Sequence, residues 1–302
     1  MTAGDDLFFG VGTGRCGTML LANLLHGEAD VACLHEGKLR HGAEPGDQWL
    51  PFLTLQNLAA YHTPERADEL FEAARGSMSV VRRDHGVGLL GDIAYNYAPF
   101  VPAIRTRFPA ARIVVMVRHG VGFVRSAHSV RGPDPTPVGW PEPRRLDRVE
   151  RFIGLGRLRP RPGDDAARRW TTMDAVARNA WLWAETNRIV LDAVAGCPTD
   201  RLLVVPHEAL VEDALGTYRT VRRFLGITGP LPASARETLQ RRINARPSKA
   251  LGPWADWSPE RRASFLEHAG HMMQRLGYDV ADESAAPRSA DADRLPGGQV
   301  DG

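Results

Sequence analysis

The first segment that could do chemistry is a cluster of glycines around one arginine. GVGTGRCGT runs from Gly10 to Thr18, between the apolar run DLFF and the helical pattern MLLANLLH. A strand, a glycine turn and a helix N-terminus direct free backbone N–H groups and the positive end of a helix dipole at one point. The segment therefore predicts an anion site, and Arg15 adds a planar guanidinium suited to phosphate or sulfate oxygens.

Two familiar phosphate loops share this logic. Gly12, Gly14 and Gly17 satisfy G-x-G-x-x-G, and Glu36 follows about 20 residues later, as a dinucleotide-binding Rossmann fold requires. The bulky side chain of Arg15 hinders the close backbone approach that such a loop needs. An NAD(P)-dependent Rossmann oxidoreductase is nevertheless kept as an alternative.

The same segment imitates the loop of nucleotide kinases, but its lysine is missing between Gly17 and Thr18. In addition, the apolar run ARIVVMV is followed by Arg118, where a kinase uses an aspartate to help hold magnesium. A metal-dependent kinase is therefore disfavoured.

GRCGT followed by paired leucines resembles the 5′-phosphosulfate loop of sulfotransferases that use 3′-phosphoadenosine 5′-phosphosulfate (PAPS), particularly the tyrosylprotein and bacterial branch with PRSGTT. Cys16 replaces the usual serine of that pattern, and Met19 replaces its second hydroxyl residue. The resemblance implies that the 5′-phosphosulfate is bound by Gly14, Arg15, Cys16, Gly17, Thr18 and Met19.

A second motif supports the same family. VMVRHGVGFVRSAHS resembles the strand, loop and helix that bind the 3′-phosphate in sulfotransferases, with Arg118 at the strand end and Ser126 on the following helix. A strand end can project Arg118 into the crevice while Ser126 lies about two turns along the helix, so both can reach one phosphate. The resemblance implies PAPS as co-substrate and the 3′,5′-bisphosphate (PAP) as product.

The acceptor hydroxyl needs a base, and LHEGK offers two. By the resemblance, Glu36 occupies the position of the catalytic glutamate of the tyrosylprotein branch and takes the acceptor proton as sulfur is attacked. His35 is the rival, because an imidazole has a suitable pKa and more distant sulfotransferases use one. Alternation along a strand allows only one of the two to face the crevice.

Two lysines are the candidates for contact with the phosphosulfate. GDIAY resembles the family's GDKtP segment, but Ile93 stands where a lysine often makes that contact. Lys38 or Lys249 could take this role, and Ser248 could contact the nucleotide. No metal is required if cationic side chains and helix N–H groups neutralise the leaving phosphate.

The elements that must position these residues alternate between short apolar runs and helical patterns, which is typical of a parallel sheet covered by helices. The pattern predicts a three-layer α/β/α fold. The predicted strands span 7–11, 31–34, 87–92, 111–117 and 201–205, and helical periodicity predicts one long helix within 164–196. We predict one sulfotransferase domain over residues 1–280, with a Pro- and Arg-rich insertion at 131–164 that is either a lid or a surface excursion, and a disordered tail at 281–302.

Composition limits the remaining possibilities. The chain has 302 residues and a net charge of +2, too small to imply a nucleic-acid or membrane partner. Three cysteines without paired spacing argue against a disulfide framework and against a tetrahedral metal site, so we expect a cytoplasmic protein. The sulfotransferase resemblance implies a small-molecule hydroxyl acceptor as its partner. A non-catalytic nucleotide-binding protein is the alternative from another class.

Overall fold

The computed structural model describes residues 6–39, 45–128, 130–131, 136–137, 139–143, 156–240 and 251–287. Its strands are β1 (Leu7–Gly12), β2 (Val31–His35), β3 (Leu89–Ile93), β4 (Arg112–Val117), β5 (Val130–Arg131), β6 (Thr136–Pro137) and β7 (Leu202–Pro206). β5 and β6 form a small antiparallel pair, and the other five form a parallel sheet in the order β2-β3-β1-β4-β7. The predicted α/β fold class is confirmed.

All five predicted strands lie in the main sheet, and their ends differ from the prediction by at most two residues. β1 and β4 occupy its centre, and their residues are almost entirely buried. Along β4, Ile113, Val115 and Val117 pack on one face, while Val114 and Met116 pack on the other. A continuous apolar strand is what burial on both faces requires, so the run ARIVVMV predicts its position correctly.

Helices cover both faces of the sheet, as the two apolar clusters on its opposite sides require. They are α1 (Thr18–His26), α2 (Gln56–His62), α3 (Ala67–Arg75), α4 (Met78–Asp84), α5 (Val101–Arg107), α6 (Gly120–Ala127), α7 (Asp165–Arg169), α8 (Ala175–Val194), α9 (His207–Glu212), α10 (Ala214–Phe224), α11 (Ala233–Gln240) and α12 (Pro259–Arg275). Among the described helices, none is both long and apolar enough to cross a membrane.

The long helix predicted within 164–196 is wrong in one respect, because it is divided into α7 and α8. Asp174 caps α8 by accepting a hydrogen bond from the backbone N–H of Ala177 at 2.7 Å. The buried guanidinium of Arg178 donates to the carbonyl oxygens of Trp170 and Thr171 in the break between the helices. Capping and carbonyl binding together satisfy backbone groups that a continuous helix would have paired internally.

Parts of the predicted insertion and tail are described, and both contact the domain. In the insertion, Trp140 is buried, and its backbone exchanges hydrogen bonds with the side chain of Asn179. In the tail, Glu283 accepts from the guanidinium of Arg125 at 2.7 Å and from the backbone N–H of Trp254 at 2.8 Å. Residues 144–155 and 288–302 lie outside the described residues, so the roles predicted for both segments stay predictions.

Candidate active site

The glycine loop connects the end of β1 to the first residue of α1. Gly14, Arg15 and Gly17 all have positive φ, at 71°, 57° and 94°. The left-handed conformation costs a residue with a Cβ about 1–2 kcal/mol, so the backbone at Arg15 is strained. Gly17 is the N-cap residue of α1 and has no side chain with which to cap it. The first N–H groups of α1 can therefore serve an anion.

The loop after β4 meets the glycine loop directly. The guanidinium of Arg118 donates through Nη1 to the carbonyl oxygen of Arg15. The guanidinium of Arg15 donates through Nε to the hydroxyl of Ser126, with 3.0 Å between the two atoms. Since β1 and β4 are neighbours in a parallel register, their carboxyl ends lie at one edge of the sheet. The structure thus brings together the two predicted anion-binding segments.

The backbone of Arg118 is fixed by a hydrogen bond, and its side chain has space beside a glycine. The indole N–H of Trp183 donates to its carbonyl oxygen at 2.9 Å. A Cβ at Gly122, one turn into α6, would lie 3.3 Å from Nε of Arg118, so a glycine leaves room for this side chain. Burial lowers the pKa of Arg118, and the negative charge of Glu208 opposes that change.

Cys16 contributes no side chain to the crevice. Its thiol is fully buried in the apolar cluster that includes Met116 and Leu210. Burial raises its pKa to about 11, although the charge of Arg118 opposes this, so the thiol stays protonated at neutral pH. Cys16 can therefore contribute to anion binding only through its backbone, and not through its side chain.

His207, a residue that sequence reasoning missed, lies beneath the glycine loop. Its Nδ1 would be 3.4 Å from a Cβ at Gly17, and the imidazole is hydrogen-bonded to the backbone of Cys16. Burial and the charge of Arg118 lower its pKa to about 3, so the ring is neutral. The signal was available, because His207 follows the predicted strand RLLVV at the edge where parallel sheets carry their sites.

Glu36 sits in a tight turn directly after β2. The backbones of His35 and Lys38 exchange two hydrogen bonds, of 2.7 and 3.2 Å, across the two residues between them. Glu36 and Gly37 occupy those central positions with φ of 57° and 82°, as a type I′ turn requires. Its backbone N–H donates to the carbonyl oxygen of Ile93 at 3.2 Å. Glu36 therefore adopts a strained conformation at the carboxyl edge of the sheet.

His35 is the last residue of β2, and its side chain is directed toward the glycine loop. Its Nε2 lies 3.4 Å from the hydroxyl of Thr18 at the start of α1. Glu36 lies in the turn and not in the strand, so the expected alternation of the two side chains does not apply to it. The Lys38 ammonium lies 5.0 Å above the ring of Phe52, which is 45% exposed.

The remaining residues that the sequence singles out lie in several different places. Met19 is half-buried in the first turn of α1. Ile93 is fully buried against Gly10, where a Cβ would overlap its side chain, so it lines the core and not the crevice. Ser248 and Lys249 lie outside the described residues. Among the described residues, no His, Cys, Asp and Glu side chains form a group of three that could hold a metal ion.

Residues 8–151 match the model described as the sulfotransferase family, and this range contains both anion-binding segments and the Glu36 turn. Over these residues the chain is similar to the sulfotransferase family. No curated protein sequence matches it significantly.

Solved sulfotransferases share the fold. The sulfotransferase domain from the curacin biosynthetic pathway is 15% identical, with a TM-score of 0.50 over 90% of this chain and 98% of that domain. The corresponding domain of the Synechococcus PCC 7002 olefin synthase is 16% identical, with a TM-score of 0.47 over 90% and 95% of the two chains. Mouse sulfotransferase SULT7A1, solved in complex with PAP, is 13% identical, with a TM-score of 0.44 over 89% and 85%.

Proposed function

We propose that this chain is a sulfotransferase, which uses PAPS as donor and transfers its sulfuryl group to a hydroxyl of a small-molecule acceptor. The proposal assigns the activity to a domain spanning residues 1–280. Its co-product is PAP, and it requires no metal.

One observation carries the proposal. In the loop that leads into α1, the backbone of Arg15 accepts from the guanidinium of Arg118, and the side chain of Arg15 donates to Ser126 of α6. A nucleotide with phosphate at one end and phosphosulfate at the other needs two cationic segments that face each other. Two guanidinium groups and the uncapped helix N-terminus fit such a ligand, because planar donors and free N–H groups match its oxygens.

The residues divide between the two ends of the donor. Arg15, Thr18 and the backbone from Gly14 to Thr18 would hold the 5′-phosphosulfate, with Met19 alongside. Arg118 and Ser126 would hold the 3′-phosphate, and Ser248 and Lys249 would add contacts from a segment beyond the described residues. When bound, PAPS supplies an activated sulfuryl group whose bond to the 5′-phosphate breaks as the acceptor oxygen bonds to sulfur.

Glu36 is the proposed general base. Its carboxylate takes the proton of the acceptor hydroxyl while Arg15 and the first N–H groups of α1 stabilise the charge left on the phosphate. His35 is the competing base, since its imidazole lies beside Thr18. Lys38 would assist at the bridging oxygen from the far side of the same turn.

The sheet order argues against the dinucleotide alternative. In a dinucleotide-binding fold the second strand lies beside the first, so its terminal acid meets the ribose of the bound cofactor. Here β3 lies between β1 and β2. Glu36 therefore follows a strand that is not a neighbour of β1, and the G-x-G-x-x-G match does not extend to the rest of that fold.

The test is a calorimetric titration with PAP. We expect a dissociation constant of about 1 μM or tighter for the full chain, and a loss of about 100-fold in Arg118→Ala, because each charge-assisted hydrogen bond contributes about 1.5–3 kcal/mol. Arg83→Ala, which removes an exposed arginine of α4, is the matched control and should bind PAP like the unmodified chain. Complete indifference of the full chain to PAP would contradict the proposal.

Turnover separates an enzyme from a binding protein. Incubation with labelled PAPS and a panel of hydroxyl acceptors should yield a labelled product, and Glu36→Ala should lose most of the rate while it keeps its affinity for PAP. If His35→Gln abolishes the rate and Glu36→Ala does not, the imidazole is the base. A protein that binds PAP with no turnover on any acceptor would be the non-catalytic alternative.

A further inference from the structure

A fully buried ion pair lies directly behind the Glu36 turn. The carboxylate of Asp92, in β3, is 2.8 Å from Nη2 of Arg75, at the end of α3, and both side chains are 0% exposed. The hydroxyl of Tyr97 donates to the same carboxylate oxygen, Oδ2, at 2.6 Å. Burying two charges is costly, and a buried pair is weak evidence of added stability. The pair therefore calls for another explanation.

The second oxygen of Asp92 reaches the turn itself. Its Oδ1 accepts a hydrogen bond from the backbone N–H of Gly37 at 3.1 Å. Gly37 follows Glu36 and shares its left-handed conformation. The carboxylate therefore divides its two oxygens: one is held by Arg75 and Tyr97, and the other holds the turn.

The partners of Asp92 are themselves fixed in place. Arg75 donates through Nη1 to the carbonyl oxygens of Pro51 and Ala74 at 2.7 and 2.9 Å, and through Nε to the hydroxyl of Tyr97. The ring of Tyr97 packs edge-on against Phe9 of β1, with 5.5 Å between ring centroids. Burial alone would lower the pKa of Arg75, but its interactions with Tyr97 and Asp92 outweigh it and raise the pKa.

We propose that Asp92, Arg75 and Tyr97 are positioning residues, which hold the strained Glu36 turn so that its carboxylate meets the acceptor hydroxyl. This inference rests on the proposed function, in which Glu36 is the base. A strained turn keeps its geometry only when its surroundings over-determine it, and the Asp92 carboxylate is one of those constraints. Displacement of a reacting group by about 1 Å can cost about 100-fold in rate.

The chain contains a matched control, built likewise from a carboxylate, an arginine and a tyrosine. Glu28, which follows α1, is paired with Arg222 of α10, with 2.9 Å between Nε and Oε1. The hydroxyl of Tyr218 lies within hydrogen-bond distance of the same carboxylate. We call Asp92, Arg75 and Tyr97 the turn cluster, and Glu28, Arg222 and Tyr218 the helix cluster.

The experiment compares Tyr97→Phe with Tyr218→Phe, and Asp92→Asn with Glu28→Gln. The tyrosine variants remove only a hydroxyl, so they report even if a carboxylate variant fails to fold. We expect kcat to fall about 10-fold in Tyr97→Phe and about 100-fold in Asp92→Asn, with KM for PAPS unchanged. Hydrogen exchange at the Gly37 amide should accelerate in the same two variants. Both helix-cluster variants should keep the kcat and the Gly37 exchange rate of the unmodified chain.

A structural role is excluded by repeating the pair in a Glu36→Ala background. If Tyr97 acts through Glu36, Tyr97→Phe should lower the residual rate by less than about 2-fold once Glu36 is gone. A full 10-fold loss in that background, or an equal loss of kcat in Tyr218→Phe, would overturn the inference. So would faster Gly37 exchange without any loss of kcat, an outcome that leaves sulfuryl transfer itself intact. Failure of the unmodified chain to bind PAP and turn over would instead refute the proposed function, and this inference with it.

Discussion

The turn cluster and the helix cluster use the same chemical parts in two different settings. Each joins a carboxylate, an arginine and a tyrosine hydroxyl, and each ties together elements that are distant in sequence. The turn cluster is completely buried, whereas 11% of the Arg222 side chain in the helix cluster is exposed. The two clusters differ in the hydrogen bonds that their members make to residues outside the cluster.

In the helix cluster, Arg222 binds both oxygens of Glu28, the second through Nη2 at 3.1 Å, and its other contacts are local. Its Nη2 donates to the carbonyl oxygens of Gly229 and Pro230, at 3.1 and 3.3 Å, and so closes the chain after α10. In the turn cluster, the remaining oxygen of Asp92 binds the turn that carries Glu36. The two buried pairs therefore differ in what their further hydrogen bonds hold: the segment after α10 in one, and the Glu36 turn in the other.

The largest expected effect tests stability at the two carboxylates. Asp92→Asn should lower the free energy of unfolding by about 3–5 kcal/mol, because it leaves the guanidinium of Arg75 buried without its counter-charge. Glu28→Gln should cost less, about 2 kcal/mol, because Arg222 keeps two carbonyl acceptors and some contact with water. Urea denaturation of the full chain measures both. If Glu28→Gln lost as much unfolding free energy as Asp92→Asn, or more, burial of the ion pair would not determine the loss.

The glycine beside each carboxylate sharpens the comparison. Gly37→Ala should cost about 2 kcal/mol, because the left-handed φ of 82° is strained for alanine and a Cβ would lie 2.4 Å from the carbonyl oxygen of Leu50. Gly27 precedes Glu28 with an ordinary helical φ of −76°, and its Cβ would meet only the hydroxyl of Ser234 within 3.0 Å, at 2.9 Å.

Gly27→Ala should therefore change the free energy of unfolding by less than about 0.5 kcal/mol, because an exposed serine can rotate away. The same two proteins, assayed for turnover, should show a loss of kcat in Gly37→Ala alone. Full activity in Gly37→Ala would mean that the geometry of the turn does not matter to catalysis.

The fold and half of the site follow from local pattern. ARIVVMV predicts a central strand because an uninterrupted β-branched run suits burial on both faces. Arg15 and Arg118 each follow a predicted strand, and parallel strands end at one edge, so their meeting needs only the two strands to be neighbours. The pattern also predicts a strand at 87–88, but β3 begins at Leu89, and the N–H of Gly88 donates to the side chain of Asp30 instead.

The turn cluster could not be found this way. Arg75 lies at the end of α3, and its contact with Asp92 depends on how that helix lies on the sheet, which no spacing along the chain encodes. Strand alternation treats Glu36 as a residue of the strand, whereas the hydrogen bonds between His35 and Lys38 make it part of a turn. Long-range packing, which sets these contacts, is the information that local pattern lacks.

A smaller effect separates the phosphate side of the site from the turn. Gly122→Ala should weaken PAP binding about 5-fold, because the alanine Cβ would lie 3.3 Å from Nε of Arg118 and displace the guanidinium group. It should also raise the free energy of unfolding, by up to about 1 kcal/mol, because alanine favours helix over glycine. Gly270→Ala, in α12, is the matched control, because the nearest atoms to its Cβ would be those of Leu266 at 3.7 and 3.8 Å.

Gly270→Ala should gain the same stability and keep the affinity of the unmodified chain for PAP. Hydrogen exchange at the Gly37 amide should be unchanged in both variants, the reverse of the result expected for Tyr97→Phe. Accelerated exchange in Gly122→Ala would mean that the turn and the phosphate side are mechanically coupled.

The last effect is one that the two clusters should share, and it appears only at alkaline pH. Burial raises the pKa of both Tyr97 and Tyr218 above the ordinary tyrosine value of 10.0. The unfolded chain therefore releases these protons first, so their contribution to stability is complete below pH 10 and declines as the pH rises further, by up to about 1.4 kcal/mol per pH unit for each tyrosine. Urea unfolding between pH 9 and 11 should show a shallower decline in Tyr97→Phe and in Tyr218→Phe than in the unmodified chain, by similar amounts. Equal slopes in the two variants, combined with unequal kcat, would establish that the two tyrosines are alike as buried acids and that the clusters differ only in the segments they hold. If either variant kept the slope of the unmodified chain, the fold would not be keeping the tyrosine at that position neutral.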